Sequence, residues 1–247
     1  MKYFAKIKYL GTEFHGFQVQ PNARTVQGAL TEAFKNLFPG EVKITGCSRT
    51  DSGVHANEFC LTVESDGATV PPEKLPVAVM RYLPRDVSLY YAESCGEDFH
   101  PRYSVKSKEY LYRIRNSRVS DPFDAGRVWF IAQNIGEFEL ERMRAAASFI
   151  PGFRDFASFM AEGSDVTDTH RNVKYLEIEK NGEYVDIRIA ADGFLYNMVR
   201  IIVGTLVDVA FGRIKAEDME AIINSKKRSM AGMTAPPDGL YLNKVNY

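Results

Sequence analysis

The sequence predicts an α+β fold. Its strand and helix candidates interleave without a regular βαβ rhythm, the strands alternate apolar and polar side chains as half-buried strands do, and an Asn-Gly dipeptide marks an antiparallel hairpin. A chain of 247 residues, 45% of them hydrophobic and 26% charged, has material for one or two cores.

Residues 3 to 10 place Tyr3, Ala5, Ile7 and Tyr9 on one face and Phe4, Lys6, Lys8 and Leu10 on the other, which is a strand. After the glycine-bearing stretch GTEFHGFQVQPNAR, Thr25 is placed to cap a helix. Its Val26, Leu30, Phe34 and Leu37 recur at near-helical spacing until Pro39-Gly40 stops it. Residues 42 to 47 and 57 to 64 read as strands joined by the polar loop SRTDSGVHA. Function tends to sit on a charged loop between apolar strands. A short helix is expected within the proline-spaced residues 71 to 84, then a strand with Val87, Leu89 and Tyr91 alternating.

The segment DFHPRYSVKSKEY leads into a strand with Tyr110, Tyr112 and Ile114 on one face and Leu111, Arg113 and Arg115 on the other. A helix at about 138 to 150 follows, then a hairpin around Asn181-Gly182, the dipeptide that favours a type I′ turn. Helices at 194 to 211 and 216 to 228 and a final strand, GLYLNKVNY, complete the chain. A boundary near residue 105 gives two α+β halves, 1–105 with the charged loop and 106–247 with the most apolar helix.

Lys and Arg number 31 against 32 Asp and Glu, which excludes a binder that holds nucleic acid by bulk charge but leaves room for a local basic groove. The segment MKYFAKIKYL lacks the apolar run of a signal peptide. Cys47, Cys60 and Cys95 form neither a CxxC pair nor a secreted framework, so a reducing cytoplasm is expected and a zinc site is not. The four histidines show no HxxxH or HExxH spacing, so no metal is expected. There is no GxGxxG after a strand, no GxxxxGK[ST] and no GxSxG, which argues against nucleotide cofactors and the common hydrolase triads.

The stretch FLYNMVRIIVGTLVDVAF is apolar on nearly every face, as a helix buried on all sides would be. Arg200 near its middle is costly in lipid, so no membrane span is expected. A buried arginine needs a carboxylate or several acceptors. Asp208 lies about 12 Å along the axis, too far to pair directly, so a partner from elsewhere is expected. Asp51 in SRTDSGVHA has two readings. One is a turn aspartate bonding its own backbone; the other joins it to Arg200 in an ion pair that keeps the carboxylate ionised, oriented and nucleophilic.

Between residues 99 and 118, Arg102, Lys106, Lys108, Arg113, Arg115 and Arg118 interleave with Phe99, Tyr103, Tyr110 and Tyr112. Cations for phosphates and aromatic faces for unpaired bases suit RNA, while a strand with one core and one solvated face explains the same pattern. Lys226-Lys227-Arg228 closes a helix, where cations complement the dipole.

YLGTEFHGFQVQPNARTVQGAL, SRTDSGVHA, FHPRYSVKSKEYLYRI, FLYNMVRIIVGTL and APPDGLYLNKVNY resemble, in order, the conserved blocks of the tRNA pseudouridine synthase A (TruA) family. The resemblance runs over nearly the whole chain. Leu10 stands where that family usually has Asp, Phe17 where it has Trp, Ser52 where it has Ala, and Asn197 where His is frequent. The tryptophan change falls on a surface expected to face RNA.

The resemblance implies a pseudouridine synthase fold of two α/β halves with mainly antiparallel sheets meeting at a central catalytic cleft. It implies isomerisation of uridine to pseudouridine at tRNA positions 38, 39 and 40, in the anticodon stem-loop, without cofactor or metal, by a cytoplasmic homodimer. By matching position, Asp51 would be the nucleophile, Arg49 would open the stem and hold the flipped nucleotide, and Arg200 would pair with Asp51. Tyr110 would stack on the target base and Leu240 would pack on its other face. Two rival readings are an RNA-binding chaperone without catalysis and an aspartate-nucleophile hydrolase, which would need a second carboxylate such as Glu58.

Overall fold

The computed structural model describes residues 1–247, and the chain forms two compact units, Met1–Lys106 with Tyr241–Tyr247, and Ser107–Leu240. The first contains β1 (Lys2–Tyr9), α1 (Val26–Leu37), β2 (Val42–Gly46), β3 (His55–Ser65), α2 (Leu75–Met80) and β4 (Val87–Ser94). Antiparallel ladders join β4 to β1, β1 to β3 and β2 to β3. Thr25 caps α1 by accepting from the Gly28 N–H at 3.2 Å, a contact worth about 1 kcal/mol. The helix buries Val26, Leu30, Ala33 and Phe34, and Phe38 just beyond it stacks on Tyr3 of β1 with ring centroids 6.0 Å apart.

The alternation expected along β4 breaks at a bulge. Lys6 faces Tyr91 but Ile7 faces Leu89, so Tyr90 is an extra residue. Val87 and Leu89 stay in the core while Tyr91, expected beside them, is exposed.

The second unit contains β5 (Ser107–Asn116), β6 (Trp129–Ile131), α3 (Glu137–Ala147), β7 (Gly152–Asp155), β8 (His170–Asn181), β9 (Tyr184–Ala191), α4 (Met198–Ala210) and α5 (Met219–Ser225). Strand β5 pairs antiparallel with β9, β9 with β8 and β8 with β7, while β6 runs parallel to β5. Each unit combines helices with a mainly antiparallel sheet, the α+β arrangement the pattern predicts. Finally β10 (Leu240–Asn246) runs parallel to β3, with Tyr241 opposite His55 and Leu242 opposite Ala56.

Three local expectations need correction. The β8–β9 turn pairs Asn181 with Tyr184, so its central residues are Gly182 and Glu183, and only Gly182 has positive φ (60°). That is the type II′ arrangement with glycine first, not type I′. Helix α4 starts at Met198 rather than residue 194, because Asn197 adopts a left-handed φ of 59°. Its 13 residues span about 20 Å, and no helix is long and apolar enough to cross a membrane. The stretch 216 to 228 is helical from a 3-10 turn at Ala216–Asp218 through α5 and ends short of 228, since Lys226 turns left-handed at φ 55°.

Candidate active site

The Asp51 loop is built on the glycine-rich stretch that follows β1. Gly53 N–H donates to the Phe14 carbonyl and Phe17 N–H to the Thr50 carbonyl, each at 3.2 Å, so the two loops run backbone against backbone. Glycines make this approach possible. A Cβ on Gly11 would lie 2.0 Å from the Val54 carbonyl oxygen, and one on Gly16, where φ is +82°, would lie 2.4 Å from that of Thr50. Val54 N–H donates to the Asp51 carbonyl at 3.2 Å, closing a turn through the backbone of Asp51. Beneath it the buried hydroxyls of Tyr9 and Thr50 share a hydrogen bond at 2.8 Å. Asp51 is half-buried and Arg49 exposed.

The supporting layer is fixed in turn. The Arg24 guanidinium lies 4.0 Å from the Phe14 ring centroid and pairs with Asp86 at 2.8 Å. His55 is fully buried, accepts from the Gly11 N–H through Nδ1 at 2.8 Å and lies 4.6 Å from the Tyr241 ring, so it braces the loop. Tyr9, Thr50, Gly11 and Gly16 were not singled out by sequence reasoning. The spacing of the two glycines was their only visible signal.

In the second unit, every residue of α4 except Arg200 is buried. Arg200 itself is half-buried rather than enclosed, and neutral acceptors hold it within its unit. Its Nε donates to the Ala235 carbonyl and its Nη1 to Asn197 Oδ1, both at 2.7 Å, while Ala235 N–H returns a bond to the Arg200 carbonyl at 3.0 Å. Asp208 pairs with Arg213 at 2.8 Å. Tyr110 is buried on β5, edge-on to the Phe194 ring with centroids 5.0 Å apart. The approach to Leu240 is set by Tyr112, whose hydroxyl donates to the Pro236 carbonyl at 2.8 Å, and by Gly239, where a Cβ would lie 2.6 Å from the Arg113 carbonyl oxygen. No group of three or more His, Cys, Asp or Glu side chains is arranged to hold a metal ion.

A family model described as tRNA pseudouridine synthase matches residues 5–104 and 145–247. The chain belongs to the tRNA pseudouridine synthase A family. It is 45% identical to a tRNA pseudouridine synthase A of Thermoanaerobacter sp. (strain X514), over 98% of this chain and 97% of that protein. Proteins of the same name from Acetivibrio thermocellus and Bacillus licheniformis are 40% and 39% identical, over 98% and 100% of this chain and 97% and 99% of theirs.

Two of the departures from the tRNA pseudouridine synthase A pattern now have physical settings. Phe17, at 3% exposure, stacks on Phe59 with centroids 4.2 Å apart, so most of the ring at the tryptophan position lies in the core. Asn197 supplies one of the Arg200 acceptors. The basic run of residues 99 to 118 divides in two. Arg113 pairs bidentately with Asp186 (2.8 and 2.7 Å), and Arg115 pairs with Asp124 and Glu183 (2.9 and 2.6 Å). Those two arginines serve the sheet of their own unit. Arg102 and Tyr103 remain exposed.

Proposed function

We propose that this chain, by its family an isomerase acting on tRNA, converts uridine to pseudouridine at positions 38, 39 and 40 of the anticodon stem-loop, with Asp51 as nucleophile. The observation that carries this reading is the Asp51 loop, a carboxylate between an exposed arginine and a glycine turn, on a backbone-to-backbone support that holds the loop. Catalysis by a preset group needs that rigidity.

A stem uracil is stacked and paired, so turning it out costs a few kcal/mol that other contacts must offset. In this proposal Arg49 holds the opened strand, Tyr110 stacks on the extruded uracil and Leu240 covers its other face. Arg200 is the ionic partner of Asp51. The N1–C1′ bond breaks, the uracil turns, and C5 bonds to C1′. C5 loses its proton and N1 gains one, so substrate and product are isomers and no cofactor is required. The enzyme works as a homodimer in the cytoplasm. Neighbouring targets differ in sequence, so recognition rests on tRNA shape and backbone.

The test incubates the protein and its Asp51→Ala variant with unmodified tRNA carrying uridines at 38, 39 and 40, then maps pseudouridine by chemical labelling. Product at those positions from the unaltered protein alone supports the reading. Binding without product points to an RNA chaperone, product undiminished by Asp51→Ala removes Asp51 as the nucleophile, and release of free uracil points to a hydrolase.

A further inference from the structure

A groove of about 210 Å³ opens in the first unit immediately beside Arg49. Ser48, Arg49, His100, Arg102 and Tyr103 are among the residues that line it. No carboxylate lines it, and neither Arg49 nor Arg102 pairs with one. This sets the pair apart from Arg24, Arg113, Arg115, Arg144, Arg188 and Arg213, each tied to an Asp or Glu within 3 Å. Tyr103, at 79% exposure, lies against the His100 ring at 4.3 Å with an interplanar angle of 32°.

The turn that presents these groups is anchored independently of any ligand. Phe99 packs against Phe4 and Tyr247 with centroids 5.4 and 5.3 Å apart, and Tyr247 donates to the Pro101 carbonyl at 2.8 Å. His100 Nδ1 accepts from the N–H groups of Arg102 and Tyr103 at 3.1 and 3.3 Å. With its neighbours held down, the chain leaves a guanidinium and a phenol ring standing in solvent. An exposed aromatic between unpaired cations is the arrangement that stacks a base and grips its phosphate.

We infer that this groove is a subsite for the RNA nucleotide next to the target uridine, its phosphate held between Arg49 and Arg102 and its base stacked on Tyr103. The inference rests on the tRNA reading above and extends it to residues outside the catalytic set. Arg49 and Asp51 are two residues apart, at most about 7 Å of chain, which one nucleotide bridges.

The experiment measures filter binding of unmodified tRNA across a potassium chloride series, and single-turnover pseudouridine formation at saturating tRNA. Arg102→Met should reduce the slope of log affinity against log salt by roughly 0.7 to 0.9, the loss of one phosphate contact. Tyr103→Ala should weaken binding roughly 5- to 150-fold, with Tyr103→Trp restoring it. Lys35→Met, which removes a charge from the exposed side of α1, should leave slope and affinity alone. An unchanged slope in Arg102→Met, an equal drop in Lys35→Met, or unchanged affinity in Tyr103→Ala overturns the subsite. Absence of pseudouridine from the unaltered protein instead removes the enzymatic reading, and the binding arm still decides the groove.

Discussion

Tyr9 and Thr50 share a buried hydrogen bond, 2.8 Å between oxygens, that joins the end of β1 to the residue preceding Asp51. The bond ties the first strand to the loop expected to carry the chemistry. A hydroxyl stripped of its buried partner costs about 1 to 3 kcal/mol.

Thr50→Val should therefore destabilise the protein by about 1 to 3 kcal/mol in urea unfolding and lower kcat more than it changes KM. A variant with unaltered kcat would mean that Asp51 is directed by other contacts.

Gly16 and Gly40 separate two effects of left-handed backbone. Both have positive φ, +82° and +88°, but a Cβ at Gly16 would meet the Thr50 carbonyl at 2.4 Å, while one at Gly40 meets nothing within 4 Å. Gly16→Ala should cost stability and abolish most pseudouridine formation, since the Asp51 loop must move. Gly40→Ala should cost only about 1 kcal/mol, with activity retained. Thermal unfolding and turnover on the same tRNA check both.

Asp155, at the end of β7, gives a pH signature in the second unit. Burial pushes its carboxyl up, but hydrogen bonds from Thr169, Lys226 and the Ala157 N–H outweigh burial and bring its pKa down from 3.8 to about 2. A carboxyl depressed on folding adds stability above its unfolded pKa and loses it as pH falls toward the folded value. Asp155→Asn should thus cost about 1 to 2 kcal/mol at pH 6, after allowance for solvent screening, and the gap should close between pH 4 and pH 2. A gap that stays constant down to pH 2 would argue against the ionised carboxylate as its source.

Cys47 and Cys60 are fully buried, and burial raises the Cys60 thiol far above its usual range. Cys95 is half-buried. At pH 8 a thiol reagent should label Cys95 alone in the folded protein and all three cysteines after denaturation, without loss of activity in the folded sample. Inactivation in step with Cys47 labelling would give that residue a functional part beside the loop.

Local signals reached far into this fold. The Thr25 cap, the apolar stripe of α1 and the period of β1 placed their elements within a residue or so. Strands of three and four residues, β6 and β7, are too short to show a period and were missed. The start of α4 was misread because Asn197 looks helical in an apolar run, while its backbone is left-handed. Arg113 resembled an RNA surface because its partner Asp186 lies 73 positions on, beyond any local window. Asp51 and Arg200 were visible as charges in unusual settings. The backbone contacts that hold the Asp51 loop were not, since carbonyls and amides leave no mark in the sequence except the glycines that permit their approach.

The pairing of β10 with β3 bears on how the chain acquires its shape during synthesis. The ribosome releases Met1–Lys106 early, but the flank of β3 beside His55 and Ala56 stays open until Tyr241 and Leu242 emerge, after the whole of Ser107–Leu240. Tyr247, which anchors Pro101, comes out later still. Until then the early unit exposes unpaired strand amides and carbonyls, and its maturation is gated by translation of a segment that follows the whole second unit.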